Sequence, residues 1–143
     1  MTDWILLHYK LPAQPSALRV YVWRKLKRLG AILLNETVWV LPDSPRSAEQ
    51  FQWLSAEIQE RGGESYLWKA NLALGMQDDD LVAQFTRQTD AVYSALLQKL
   101  DKKNPDPAAL SREYQQIASR DYFHSALRQQ AREKLLALRG GTE

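Results

Sequence analysis

The sequence predicts an α+β fold, and three observations carry that reading. Two stretches in the first half repeat apolar residues at helical spacing, and short apolar or alternating runs flank each of them. Glycine, proline and aspartate fall where such elements should start and stop. Beyond Ala73 the short runs cease and only helical periodicity remains.

In chain order, Trp4-Ile5-Leu6-Leu7-His8-Tyr9-Lys10-Leu11 is an apolar run bounded by Pro12, expected as a central strand buried on both faces. Pro12 to Ser16 connects it to the first helix, which Ser16 or Gln14-Pro15 can start because proline is tolerated in a first turn. Leu18, Val22, Leu26 and Leu29 form that helix's apolar stripe, and Gly30 stands where a left-handed cap belongs. Ala31 to Leu34 is short and apolar, as a buried strand should be; Asn35-Glu36 can turn the chain, and β-branched and aromatic Thr37 to Leu41 returns before Pro42. Asp43 or Ser44 caps a second helix from about Pro45 to Arg61, whose stripe is Phe51, Leu54 and Ile58 with Ala48 nearby. Gly62-Gly63 stops it, and Glu64 to Ala73 alternates, with Tyr66, Trp68 and Ala70 on one side and Leu67 and Lys69 on the other.

That order is the ferredoxin-like βαββαβ sandwich, an antiparallel sheet with both helices on one face, assigned to residues 1–75. The other face is left open or meets something else. Residues 76–143 are expected as a helical hairpin packed on this domain. Asp78-Asp79-Asp80 opens a long helix with Leu81, Phe85, Val92, Leu96 and Leu100 on one stripe. After the break at Lys102 to Pro107, Asp106 is a good cap and Pro107 a good first helical residue. Leu110, Tyr114 and Ile117 mark the next face. The pattern falters through Ser119 to His124, where Asp121 can recap the helix and Tyr122 or Phe123 can staple a bend to the core. It resumes with Leu127, Ala131, Leu135 and Leu138, and Gly140-Gly141 should end it.

The formal charge of +2 on 143 residues is close to neutral, so any basic function must come from local clustering. The absence of cysteine excludes disulfides, thiolate catalysis and cysteine-ligated metal. There is no secretory signal and no apolar run of the roughly 18 residues a membrane span needs, so a cytoplasmic protein without membrane contact is expected. The clearest cluster is Arg19, Arg24, Lys25, Lys27 and Arg28 on the first helix. Arg24, Lys27 and Arg28 lie off the apolar stripe and can reach successive phosphates or a small oxyanion. An ordinary solvated helix face is the competing account. Three adjacent aspartates point in different directions on a helix, so Asp78 to Asp80 reads as a helix start, stabilised by the dipole, and not as a cation cage. His8 and His124 lack metal-ligand spacing, and Ser65, Ser119 and Ser125 lack a nucleophile elbow. No glycine-rich phosphate loop is present. No enzyme activity, metal or cofactor is expected.

ALRVYVWRKLKRLGAILLNETVWVLP, FQWLSAEIQERGGESYLW and REYQQIASRDYFHSALRQQAREKLLAL, in that order, resemble the N-terminal domain of the ChrB-type chromate-resistance proteins. The resemblance spans most of the chain. It implies a cytoplasmic bacterial protein linked to chromate resistance, in a family that includes chromate-responsive transcription regulators. The family also carries a C-terminal domain associated with chromate sensing, without counterpart in these residues. The first part is similar to the ferredoxin-like middle domain of the PaaX-type repressors and to small CRISPR-associated nucleases. Those nucleases place a metal-binding aspartate at the end of the first strand, where this sequence has His8-Tyr9-Lys10, so nuclease activity is not expected. The resulting expectation is a non-enzymatic regulatory module, assembled as a homodimer. It would bind DNA, chromate or another oxyanion, or a partner, through Arg19, Arg24, Lys27 and Arg28, with Arg120 joining them. The alternative is an interaction or dimerisation module without DNA binding, using the open sheet face or edge.

Overall fold

The computed structural model describes residues 2–140. The chain divides into two compact units, residues 1–80 and 81–143. The first contains β1 (Trp4–Lys10), α1 (Ser16–Leu29), β2 (Ile32–Asn35), β3 (Val38–Pro42), α2 (Pro45–Glu60) and β4 (Glu64–Ala70). The strands form one sheet in the order β2-β3-β1-β4, every neighbouring pair antiparallel. Element order and strand order together are those of a ferredoxin-like fold, as the sequence predicts.

Local chemistry accounts for the boundaries. Gly30 takes φ 80°, and the amides of Gly30 and Ala31 return to the carbonyls of Lys27 and Leu26 at 3.0 and 3.1 Å, closing α1 with a left-handed cap. Ser44 caps α2 by accepting the Ser47 amide at 3.0 Å, with Pro45 next in the first turn. At the other end of α2, a Cβ on Gly63 would stand 2.9 Å from the Lys10 carbonyl oxygen and 2.7 Å from Ile58 Cγ2, so only glycine lets β4 leave the helix this close to β1. The helix α2 lies on β1 and β4, and α1 packs alongside α2. Beneath them Ile5, Leu7, Trp39 and Leu41 are buried with Leu18, Val22, Leu26, Phe51, Leu54 and Ile58.

Three expectations for this unit need correction. β1 is not buried on both faces along its length: Ile5, Leu7 and Tyr9 are buried, but Leu6 is half-buried and His8 and Lys10 are exposed. Antiparallel sheets tolerate water on one face. That face carries Tyr66 and Trp68 of β4, 52% and 54% exposed, whereas Trp4 and Val40 are buried. Second, β2 is an edge strand with Leu33 and Leu34 exposed, and its pairing with β3 is irregular between Leu33 and Asn35. Third, the turn falls on Glu36-Thr37, one residue later than expected.

The second unit is helical. α3 (Asp78–Leu100) begins in the last residues of the first unit, and α4 (Pro107–Ser119) and α5 (Leu127–Gly140) follow. Tyr93, Leu96 and Leu100 of α3 pack with Leu110, Tyr114 and Ile117 of α4 and with Ala131 and Leu135 of α5. Tyr93 takes the fully buried place on α3, and Val92, expected on the stripe, is only partly buried. Asp106 caps α4 by accepting the amides of Ala108 and Ala109 at 3.1 and 3.2 Å. The expected bend near Asp121 is a full break between two separate helices, with His124 at φ 57°. Asp121 accepts the Ser125 amide at 2.9 Å, and Ser125 Oγ in turn accepts the Leu127 amide at 3.1 Å, so Ser125 does the capping that Asp121 was expected to do. Tyr122 and Phe123 do staple the break, with ring centroids 6.1 and 5.7 Å from Phe85 of α3. α5 continues through Gly140, and Gly141 lies outside the described residues. No helix among the described residues is long and apolar enough to cross a membrane.

Candidate functional site

With Leu18, Val22 and Leu26 buried, α1 must present its cations outward, and Arg19, Arg24, Lys27 and Arg28 are all exposed. They do not form one cluster. Arg19, Trp23 and Lys27 follow one another at four-residue spacing and share a flank. Lys27 Nζ stands 5.9 Å from the centroid of the half-exposed Trp23 ring, a cation–π distance. Arg24 and Arg28 occupy the other flank. There the Tyr21 hydroxyl donates to the Glu57 carboxylate of α2, and Arg61 and Lys25 lie 5.0 and 5.7 Å from the Tyr21 ring centroid. The bond to Glu57, with a smaller effect of desolvation, raises the Tyr21 pKa above the usual phenol range. One flank of the basic helix is thus partly answered by an acid from its neighbour, while Arg24 has no ion pair among the described residues.

Arg120 belongs to the second unit, half-buried at the C-terminal cap of α4, where its amide returns to the carbonyls of Ala118 and Ile117. Arg120 has interactions of its own within the fold. Arg128 and Arg132, one turn apart on α5, instead line an open cavity of about 300 Å³ with Tyr114, Ser125 and Gln129. Arg128 is held by a hydrogen bond from its guanidinium to the Tyr114 side chain, which raises its pKa. The carboxylates of Asp121 and Asp90 complete this network: Tyr93 donates to Asp121 at 3.4 Å and Ser125 Oγ donates to Asp90.

A cavity of about 400 Å³ lies in the first unit between the start of α1, the end of β1 and the β2–β3 hairpin. Arg19 and Trp23 of α1 meet Tyr9 and Lys10 of β1 there, together with Leu33, Glu36, Thr37 and Trp39. Sequence reasoning found only Arg19 among them. The signal available was the four-residue spacing of Arg19 and Trp23. The rest depends on strand register, in which Leu7 faces Trp39 and the Tyr9 amide bonds to the Thr37 carbonyl at 3.1 Å.

The acidic run does not gather cation ligands, and no group of three or more His, Asp or Glu able to hold a metal occurs among the described residues. Asp78 instead accepts the Thr2 amide and the Trp4 indole N–H, each at 2.9 Å. Those two bonds, the backbone one first, hold its pKa below the usual carboxylate range.

Comparison with known proteins adds a family. The family model described as "Protein ChrB, N-terminal" matches residues 19–115. Protein ChrB of Cupriavidus metallidurans is 30% identical over 89 residues, which cover 62% of this chain and 28% of that relative. No solved structure matches. The matched region runs from within α1 through β2, β3, α2, β4 and α3 into α4, and the chain accordingly belongs to the ChrB N-terminal domain family.

Proposed function

We propose that the chain is a non-enzymatic, ChrB-type regulatory module of chromate resistance that binds duplex DNA through α1. The observation that carries this reading is the exposure of Arg19, Arg24, Lys27 and Arg28 on a helix that is anchored in the fold by buried Leu18, Val22 and Leu26. Cations held on a rigid helix can meet several phosphates without further ordering. Family membership supports the link to chromate resistance. The chain spans 28% of its curated relative, so the activity of a full-length protein reaches it only as a proposal.

The test is the salt dependence of DNA affinity. If Arg24, Lys27 and Arg28 contact phosphates, replacing all three with Ala weakens binding. It also makes the slope of log affinity against log salt shallower by up to about 2.7, at about 0.9 per released counterion. Circular dichroism of the same samples checks that the variant folds. Wild-type protein without salt-dependent affinity overturns the reading. It would leave the alternative, an interaction or dimerisation module, whose support is the exposed aromatic pair Tyr66 and Trp68 on edge strand β4.

A further inference from the structure

The cavity at the head of α1 holds groups that the fold itself does not use. Arg19 and Lys10 have no ion pair and no hydrogen bond from their side chains among the described residues, and the same is true of the Glu36 carboxylate. Tyr9 is only 7% exposed, and its hydroxyl accepts the Trp39 indole N–H at 3.4 Å. That bond uses a lone pair, so the phenolic proton is still available to an acceptor in the cavity. Trp23, half-exposed, supplies a flat apolar wall. At about 400 Å³ the space lies within the usual range for small-molecule sites, roughly 300–1,000 Å³.

These groups discriminate between ligand classes. A purely apolar ligand would cover Arg19, Lys10 and Glu36 without answering them, which is costly for charged groups. A simple oxyanion would satisfy Arg19 and Lys10 but would sit beside an unanswered Glu36 carboxylate and gain nothing from the indole. A nucleotide answers all three features. Its phosphate suits the two cations, its base offers a face to Trp23, and its amino or ribose hydroxyl protons suit Glu36. We infer that this cavity binds one nucleotide unit, either as a free mononucleotide or as an unstacked nucleotide of a single strand. The site does not rest on duplex binding by Arg24, Lys27 and Arg28, and it fails or stands separately from that reading.

Isothermal titration calorimetry with the four ribonucleoside 5′-monophosphates, a single-stranded oligonucleotide and inorganic phosphate tests it. Wild-type protein should bind at least one nucleotide probe saturably and more tightly than phosphate. Base–aromatic stacking contributes about 1–3 kcal/mol, so Trp23→Ala should weaken binding roughly 5- to 150-fold. Arg19→Gln should weaken it too, and Glu36→Gln should change the ranking of the bases. These positions have exposed side chains, so the variants should fold, which circular dichroism checks. Trp53→Ala, at an exposed indole on α2 that does not line the cavity, should bind as the wild type does. Binding of monophosphates identifies a free-nucleotide site; binding of the oligonucleotide alone, with the same Trp23 dependence, identifies a strand. Absence of saturable nucleotide binding, equal affinity for phosphate, or an equal loss in Trp53→Ala overturns the proposal.

Discussion

The two units divide the chain's chemistry unevenly. All five tryptophans lie in residues 1–80, and so do eight of the nine large hydrophobic residues exposed among the described residues, the exception being Leu136. The same unit carries nine Lys and Arg against ten Asp and Glu, although α1 is the most basic stretch of the sequence. Residues 81–143 reverse the balance, with ten Lys and Arg against seven Asp and Glu. The helical unit is the more basic, yet several of its charges are spent internally, in Lys99–Glu113, Lys134–Asp101 and the Arg128–Tyr114 network. The lesson is that net charge does not locate a binding surface. What matters is which charged and aromatic groups the fold leaves unanswered, and α1 contributes Arg19, Arg24 and the half-exposed Trp23 to them.

The largest expected effect tests how firmly α1 is anchored. Leu26 is fully buried, so Leu26→Ala should destabilise the protein by about 2–5 kcal/mol through lost burial and a residual cavity. Thermal or urea unfolding measures it, and an unchanged midpoint would mean that α1 does not depend on its stripe. Next comes Gly63→Ala, which forces a methyl group against the Lys10 carbonyl and Ile58; overpacking of this kind costs about 1–3 kcal/mol. An effect below a few tenths of a kcal/mol would show that β4 can shift away from β1 freely.

The smallest effects separate the units by pH. Asp78 has its pKa lowered in the folded state by the Thr2 amide and the Trp4 indole. Its contribution is therefore complete above the unfolded carboxylate pKa and is lost as pH falls through the folded one. Asp78→Asn should unfold at lower urea than the wild type at pH 7, with the gap closing towards pH 3. Tyr93 in the helical unit behaves in the opposite sense. Desolvation first, and the Asp121 carboxylate second, raise its pKa well above the usual phenol range. Below about pH 10 both states keep the phenol neutral. Above it the unfolded chain ionises first, so stability falls as pH rises. Tyr93→Phe should flatten that alkaline limb. If it does not, the phenol is not shielded as the packing of α3 indicates.

Periodicity made most of the fold legible. The stripes Leu18–Val22–Leu26 and Phe51–Leu54–Ile58 are local patterns, and Gly30, Ser44 and Asp106 mark element ends by their own backbone chemistry. What stayed hidden depends on non-local placement. Leu33 and Leu34 read as buried because they are apolar, but β2 falls at the sheet edge, a fact of strand order and not of composition. The break after α4 is wider than the faltering pattern suggested, because Asp121, Ser125 and Asp90 answer one another across helices distant in sequence. The candidate site divides in the same way. The exposure of the α1 cations follows from the helical wheel. The company that Arg19 keeps, with Tyr9, Glu36 and Trp39, follows only from register.

The central place of β1 has a consequence for synthesis. The strand made first is the one that pairs with both β3 and β4, and Leu7 meets Leu67, sixty residues later. At about 5–20 residues per second, those sixty residues take roughly 3–12 s to translate. Until then Trp4, Ile5 and Leu7 lack the last strand that completes their pairing. Closing such a long-range contact is also slow in its own right, because chain entropy is lost before the pairing energy is gained. β1 therefore waits incompletely paired while those sixty residues are made, and the arrival of β4 sets the earliest moment at which the sheet can be completed.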